Sequence, residues 1–244
     1  MITAIRFFVV SLYGAFCFLL GWFICLLRPF HQDNNWLICQ LLGPIGFKIL
    51  GLKFKASHRQ RLFEIRPAVV ISNHQNNLDM FPGAMMCPKG MAILGKKSIK
   101  WIPFFGQFFW LAGNLFIDRG NPMKSKRAMG ELAAKMKEGK RSVWVMPEGT
   151  RSKGKGMLPF KKGAFHTAKN ANVPILPVVF SSYHNRFNFN RWKSGLILTS
   201  VLDPVDTQDK TVEELRDLCQ SLMKAELERL DEQVDQWLKT GKLD

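Results

Sequence analysis

A histidine and an aspartate five residues apart form the most suggestive chemical pair in this chain. They lie in Ser72-Asn73-His74-Gln75-Asn76-Asn77-Leu78-Asp79-Met80, directly after the apolar run Pro67 to Ile71. That run reads as a buried strand. A neutral imidazole at a strand end can take a proton near pH 7. A carboxylate on its other ring nitrogen fixes the tautomer and stabilises the imidazolium that forms. On one continuous helix, residues five apart sit about 140° apart. The two can meet only if His74 lies on the turn and Asp79 in the first helical turn beyond it. Taken alone, the pair is equally consistent with a turn histidine followed by a helix-start aspartate.

Further candidates follow other strand-like runs. Ser142 to Met146 leads into Pro147-Glu148-Gly149-Thr150-Arg151-Ser152. A glycine-containing turn with a carboxylate, a hydroxyl and a guanidinium can offer donors to an oxyanion. It lacks the spacing of a nucleotide-binding P-loop. Ala92 to Gly95 leads into Lys96-Lys97-Ser98-Ile99-Lys100-Trp101. This cluster is either a solvated face or a contact for a phosphate, a thioester carbonyl or a lipid surface. Asn114 to Ile117 ends in Asp118-Arg119, where Arg119 could bind phosphate or form a surface ion pair. His166 stands alone and reads as structural. The spacing of His74, Asp79, Glu148 and His166 matches no metal-ligand pattern, so no metal is expected.

The elements that must position these residues alternate. Between 67 and 202, strand-like runs at 67–71, 92–95, 114–117, 142–146, 173–180 and 195–201 are interleaved with helical patterns. This predicts an α/β fold with a mainly parallel sheet flanked by helices. The polar loops would then converge at the carboxyl edge of the strands. Leu78 to Met86 reads as a short apolar helix. Asn121-Pro122 caps a helix with Met129, Leu132, Ala133 and Met136 on one face and Gly139 at its end. Thr211-Val212-Glu213-Glu214 is a capping box that opens a long amphipathic helix. Ile102 to Gly113 is strongly aromatic, either a core helix or the lining of an acyl-chain groove or membrane face.

The N-terminal part has a different character. Phe7 to Leu27 is 21 residues without a charge, bracketed by Arg6 and Arg28. That length suffices to cross a bilayer as a helix. No small-residue cleavage site follows, which argues against a signal peptide. Trp36 to Leu52 is a second apolar stretch, broken by Gln40, Pro44, Lys48 and glycines, and reads as an interfacial segment. Either the first helix spans and the second lies on the surface, or both dip into one leaflet. Lys53, Lys55, Arg59, Arg61 and Arg66 follow, which favours a cytoplasmic main domain. We place the division at 1–57 for the membrane-anchoring helices and 58–244 for the catalytic domain. The net charge of +16 implies an anionic partner. The basic residues are spread and carry no nucleic-acid-binding signature, so nucleic acid is not expected. Five scattered cysteines without a Cys-x-x-Cys spacing suggest free thiols in a reducing compartment.

Four blocks stand in order: Asn73-His74-x4-Asp79, Gly113-Asn114-Leu115-Phe116-Ile117-Asp118-Arg119, Pro147-Glu148-Gly149-Thr150-Arg151-Ser152, and Val173-Pro174-Ile175-Leu176-Pro177. Together they resemble the glycerolipid acyltransferase family, in particular its bacterial 1-acylglycerol-3-phosphate acyltransferase branch. The resemblance implies that His74 is the general base on a lysophospholipid hydroxyl and that Asp79 orients it. It implies acceptor contacts from Arg119, Glu148, Gly149, Thr150 and Arg151, with an arginine on the phosphate. Lys96 and Lys97 would be additional donor or phosphate contacts. It further implies lysophosphatidic acid as acceptor and an acyl-CoA or acyl-carrier-protein thioester as co-substrate, with no bound cofactor. The expected location is the inner membrane of a bacterium, with the catalytic domain on the cytoplasmic side against an anionic surface. An acyltransferase acting on a different lysophospholipid is the alternative.

Overall fold

The computed structural model describes residues 2–118, 130–134, 136 and 141–242. Seven strands form one sheet: β1 (Leu52–Ser57), β2 (Val69–Ser72), β3 (Met91–Lys96), β4 (Leu115–Ile117), β5 (Ser142–Val145), β6 (Ile175–Phe180) and β7 (Gly195–Val201). Their order is β1-β7-β6-β2-β5-β3-β4. The five strands from β6 to β4 are parallel, and only the β6–β7 pairing is antiparallel. The expected α/β fold with a mainly parallel sheet is therefore present. The inner strands β2 and β5 are buried along their whole length, as strands covered on both faces must be. Pro177 interrupts no ladder with β7, because that pairing begins only at Val178.

Helices cover both faces. On one side α6 (Gly163–Ala171) and the capped helix α7 (Val212–Thr240) pack over Val69, Ile71, Val143 and Ile175. Thr211 accepts from Glu214 N–H at 3.2 Å and Glu214 accepts from Thr211 N–H at 2.7 Å, which is the expected capping box. Residues 130–134 and 136 are helical, with Leu132, Ala133 and Met136 in the same core. The anticipated cap at Asn121-Pro122, Met129 and the Gly139 stop lie outside the described residues.

On the other face, where the one-turn α3 (Arg61–Glu64) adds Leu62 to the core, lie α2 (Asn34–Leu50) and α4 (Met80–Met86). They approach closely because α2 carries glycines where α4 touches it. A Cβ on Gly46 would stand 2.5 Å from the Phe81 ring, and one on Gly43 would stand 3.2 Å from Met85 Sδ. So α2 buttresses the helix that begins at the candidate aspartate.

The first helix, α1 (Ile2–Leu27), is long and apolar enough to cross a membrane. It nevertheless lies against the rest of the protein at both ends. Arg6 is buried in the β6–β7 connection, where it donates to the carbonyls of Phe189, Arg191 and Trp192. Near the far end, Phe18 packs edge-on against Phe108 at 5.0 Å, and Trp22 Nε1 donates to the Phe104 carbonyl at 3.2 Å. Phe108 belongs to α5 (Phe105–Leu111), the aromatic stretch for which the sequence left several roles open. The β1 segment belongs to the sheet. Its residues, grouped by the sequence with the N-terminal helices, form an edge strand paired in parallel with β7. Lys53 and Lys55 are two of the basic residues that follow the apolar N-terminal stretches. Those lysines lie on one side of the pleat, while Leu52 and Phe54 point the other way.

Candidate active site

The parallel strands deliver their following loops to one edge. His74 lies two residues past β2, Lys96 ends β3, Asp118 follows β4, Glu148 lies three residues past β5 and Tyr183 three past β6. Neighbouring strands are about 4.8 Å apart, so Lys96, two strands from β2, starts about 10 Å away at the backbone.

His74 Nδ1 bonds Asp79 Oδ2, so the proton on Nδ1 points into the carboxylate and Nε2 is the nitrogen left for chemistry. The chain turns tightly enough for this because Asn76 and Asp79 cap each other. Asn76 Oδ1 accepts from Leu78 N–H at 2.8 Å, and Asp79 Oδ1 accepts from Asn76 N–H at 3.0 Å. A 3-10 turn at Asn77–Asp79 then runs into α4. Asp79 is buried, and Gln75 N–H also donates to its Oδ2 at 2.8 Å. Its fourth donor is the hydroxyl of Tyr183, which bonds Oδ1. Burial, then the charge of Asp79, hold the Tyr183 hydroxyl well above its ordinary pKa, so it stays a donor. His74 itself remains partly open, with its side chain 20% exposed.

The side chains on either side of His74 fasten the turn to the sheet. Asn73 exchanges bonds with Phe180 at 2.8 and 2.9 Å, extending the β2–β6 ladder beyond its last backbone pair. Gln75 donates to the Ser181 carbonyl and accepts from Tyr183 N–H, at 2.8 and 2.9 Å. On the β5 side, Ser152 N–H donates to the His74 carbonyl at 2.8 Å and Lys153 N–H to that of Gln75 at 3.0 Å.

Glu148 is buried beside the histidine turn. It is 2% exposed. Oε1 accepts from His74 N–H at 2.7 Å and Oε2 from Leu158 N–H at 3.0 Å. Burial raises its carboxyl above the usual range, against the lowering effect of these two bonds. Both oxygens accept bonds inside the protein, and the carboxylate ties the histidine turn to the following loop. Thr150 and Arg151, two and three residues on, are exposed. Gly149 adopts φ 72°, the left-handed conformation that lets the loop reverse there. A Cβ on it would meet the Lys161 side chain at 3.0 Å, so Lys161 lies across this turn. Lys97 pairs with Asp118 at 2.9 Å, while Lys96 is exposed at the same edge. Arg119 lies outside the described residues. His166 is exposed on α6.

Tyr183 was not among the residues singled out from the sequence. It sits 104 positions from Asp79, and no local spacing connects them. The only hint is that a polar run follows the β6 strand. Tyr183→Phe removes one of four donors from a buried carboxylate and leaves the ring packing intact. A hydrogen bond to a charged group contributes about 1.5–3 kcal/mol. The expected result is a kcat roughly ten-fold lower with both substrate KM values unchanged, read by steady-state kinetics on the folded variant.

At the mouth of the α/β sheet the structure places a histidine with one ring nitrogen free, its other nitrogen bonded to a buried aspartate, an arrangement chemically able to take a proton from a hydroxyl. The chain is similar to known proteins. A protein-family model described as Acyltransferase matches residues 53–181, more than half of the chain. The 1-acyl-sn-glycerol-3-phosphate acyltransferase of Haemophilus influenzae is 39% identical, over 96% of this chain and 98% of its own length. That of Escherichia coli K12 is 36% identical over the full length of both. The crystal structure of the 1-acyl-sn-glycerophosphate (LPA) acyltransferase of Thermotoga maritima superposes with a TM-score of 0.68, covering 94% of each chain at 24% identity, and shares the fold. The chain belongs to this acyltransferase family.

Proposed function

We propose that the protein transfers a fatty acyl group from an acyl thioester to the sn-2 hydroxyl of 1-acylglycerol-3-phosphate, giving phosphatidic acid for phospholipid synthesis. The observation that carries this is the His74–Asp79 pair at the sheet edge, in a chain whose full-length relatives bear that activity in their names. His74 Nε2 takes the hydroxyl proton as the oxygen attacks the thioester carbonyl. The C–O bond forms, the C–S bond breaks, and the imidazolium returns the proton to the leaving thiolate. Asp79 holds the imidazolium through Nδ1. The reaction balances with the thioester as sole co-substrate, either acyl-CoA or acyl-carrier protein, without a bound cofactor or metal. Transfer rates over a small matrix of lysolipids and thioesters test the assignment. Preference for a lysophospholipid without the terminal phosphomonoester would overturn it.

The exposed Thr150-Arg151 turn is the place for the acceptor's phosphate, with Lys96 exposed on the same edge of the sheet. If the Arg151 guanidinium binds that phosphate, Arg151→Ala raises the acceptor KM and spares the donor KM. A charge-assisted bond of about 1.5–3 kcal/mol corresponds to roughly ten- to a hundred-fold weaker acceptor use. Lysine restores part of it, keeping the charge and losing the planar fork. Equal defects for donor and acceptor, with a lowered melting temperature, would make Arg151 a structural clamp instead.

The acceptor and the product are membrane lipids, and the proposed location is the bacterial inner membrane with the catalytic edge on the cytoplasmic side. Because α1 is fastened to the catalytic unit at both of its ends, the bilayer meets the outer side of α1 and not its whole circumference. Ile5, Phe8, Leu12, Phe16, Leu19 and Phe23, three or four residues apart, form an exposed apolar stripe along that side. This supports the arrangement in which the N-terminal helices enter one leaflet.

A further inference from the structure

The β6–β7 connection, residues 181–194, has one end in the active site and the other on α1. It begins beside Tyr183, the donor to Asp79. It then forms a loop, Asn188 to Ser194, that closes on itself through Asn188 N–H to the Ser194 carbonyl at 2.9 Å. Arg6, the only buried Lys or Arg among the described residues, fills this loop. It donates to the carbonyls of Arg191 at 2.6 Å and Trp192 at 2.9 Å, and it bonds the Ser194 hydroxyl. Thr3 bonds Asn190 Oδ1 at 2.8 Å, and Phe7 packs edge-on against Phe189 at 5.1 Å. The loop is thus bolted to the first two turns of α1.

What this rigid loop presents outward is unusual. Trp192 is 83% exposed, more than any other large apolar side chain among the described residues. Arg191 and Lys193 on either side are exposed too, and neither pairs with a carboxylate among the described residues. An indole held out between two unpaired cations suits the boundary of an anionic bilayer, where the ring sits at headgroup level and the cations meet lipid phosphates. The opposite end of α1 repeats the composition: Trp101 and Phe104 are exposed beside Lys100. Both groups leave the same carboxyl edge of the sheet, and the apolar stripe of α1 runs between them.

We propose that the Arg191-Trp192-Lys193 loop is a membrane anchor that reads anionic lipid headgroups, and that Arg6 couples it to α1. The anchor rests on the membrane reading above and goes beyond it. Its occupant is an anionic lipid surface. Through Tyr183 the same connection reaches Asp79, so the anchor sets the catalytic edge at the depth where a lysolipid hydroxyl lies.

The test uses the full chain in vesicles of phosphatidylcholine and phosphatidylglycerol. Subtracting the emission of Trp192→Phe from wild type isolates Trp192. That emission is expected to be quenched by phosphatidylcholine brominated near the carbonyl end of its chains and protected from aqueous acrylamide. Arg191→Gln with Lys193→Gln is expected to weaken partitioning, after dilution from detergent, onto phosphatidylglycerol-containing vesicles by about thirty-fold. Partitioning onto pure phosphatidylcholine should stay unchanged. A Trp192 quenched by acrylamide and untouched by brominated lipid would overturn the anchor and leave the loop for an acidic protein. Equal losses on both vesicle types would also overturn it. Failure of wild type to bind either vesicle would instead remove the membrane reading itself.

Discussion

His74→Ala yields a folded protein whose acyl transfer is reduced by about 10²–10⁴-fold, the usual loss when a general base is removed. The fold should survive because the ring is partly solvent-exposed and the turn is held by backbone bonds, not by the imidazole. Those bonds are His74 N–H to Glu148, Ser152 N–H to the His74 carbonyl, and Lys153 N–H to the Gln75 carbonyl. Asp79→Asn should be comparably severe. An amide can present its NH2 group to Nδ1, which places the imidazole proton on Nε2 and abolishes the base. The amide would also leave Gln75 N–H, Asn76 N–H and the Tyr183 hydroxyl competing for one remaining acceptor, so this variant should lose stability as well. The measurement is turnover alongside a melting curve for both variants. Near-wild-type turnover by folded His74→Ala would refute the base assignment. Loss of turnover only in unfolded protein would reduce the pair to a structural one.

The second large effect is expected at Glu148. Glu148→Gln keeps the volume and replaces one acceptor oxygen with a donor. Either His74 N–H or Leu158 N–H then faces an NH2 group in a buried site. At about 1.5–3 kcal/mol for a lost charge-assisted bond, and about 2–4 °C per kcal/mol in a chain of this size, the melting temperature should fall by roughly 3–12 °C. kcat should fall on the order of ten- to a hundred-fold, because the lost tether is the one that fixes the His74 backbone. Both KM values should change little. If Glu148 touched the acceptor instead, glutamine would raise the acceptor KM and leave the melting curve where it was. The two outcomes are read from the same pair of experiments.

These two sites differ in how far the sequence discloses them. His74 and Asp79 are five residues apart, and the only structural condition on their meeting is the local turn that Asn76 and Asp79 themselves cap. The type and spacing of a few neighbours therefore carry the pair. Glu148 is legible as a member of a conspicuous block, but its direction is not. A carboxylate beside a glycine and an arginine reads as a ligand contact. Whether it points out to solvent, as Arg151 does, or down under a strand 74 residues away in the chain depends on the β2–β5 pairing.

The chain by itself determined the succession of buried strands and amphipathic helices, the capping box of α7, the uncharged run Phe7 to Leu27 in the first helix and the parallel α/β class. All of these are set by periodicity and caps within about a dozen residues. Tertiary structure alone decided the rest. It made Leu52–Ser57 an edge strand, because a short lysine-bearing alternation becomes a strand only when β7 supplies the ladder. It brought Tyr183 to Asp79 across 104 residues. It also buried Arg6 in a loop more than 180 positions away, turning a helix that could have stood free in a bilayer into one fastened beside the catalytic edge. The physical reason is common to all three. A polar group leaves water only where partners await it, and those partners are supplied by chain that is near in space and distant in sequence.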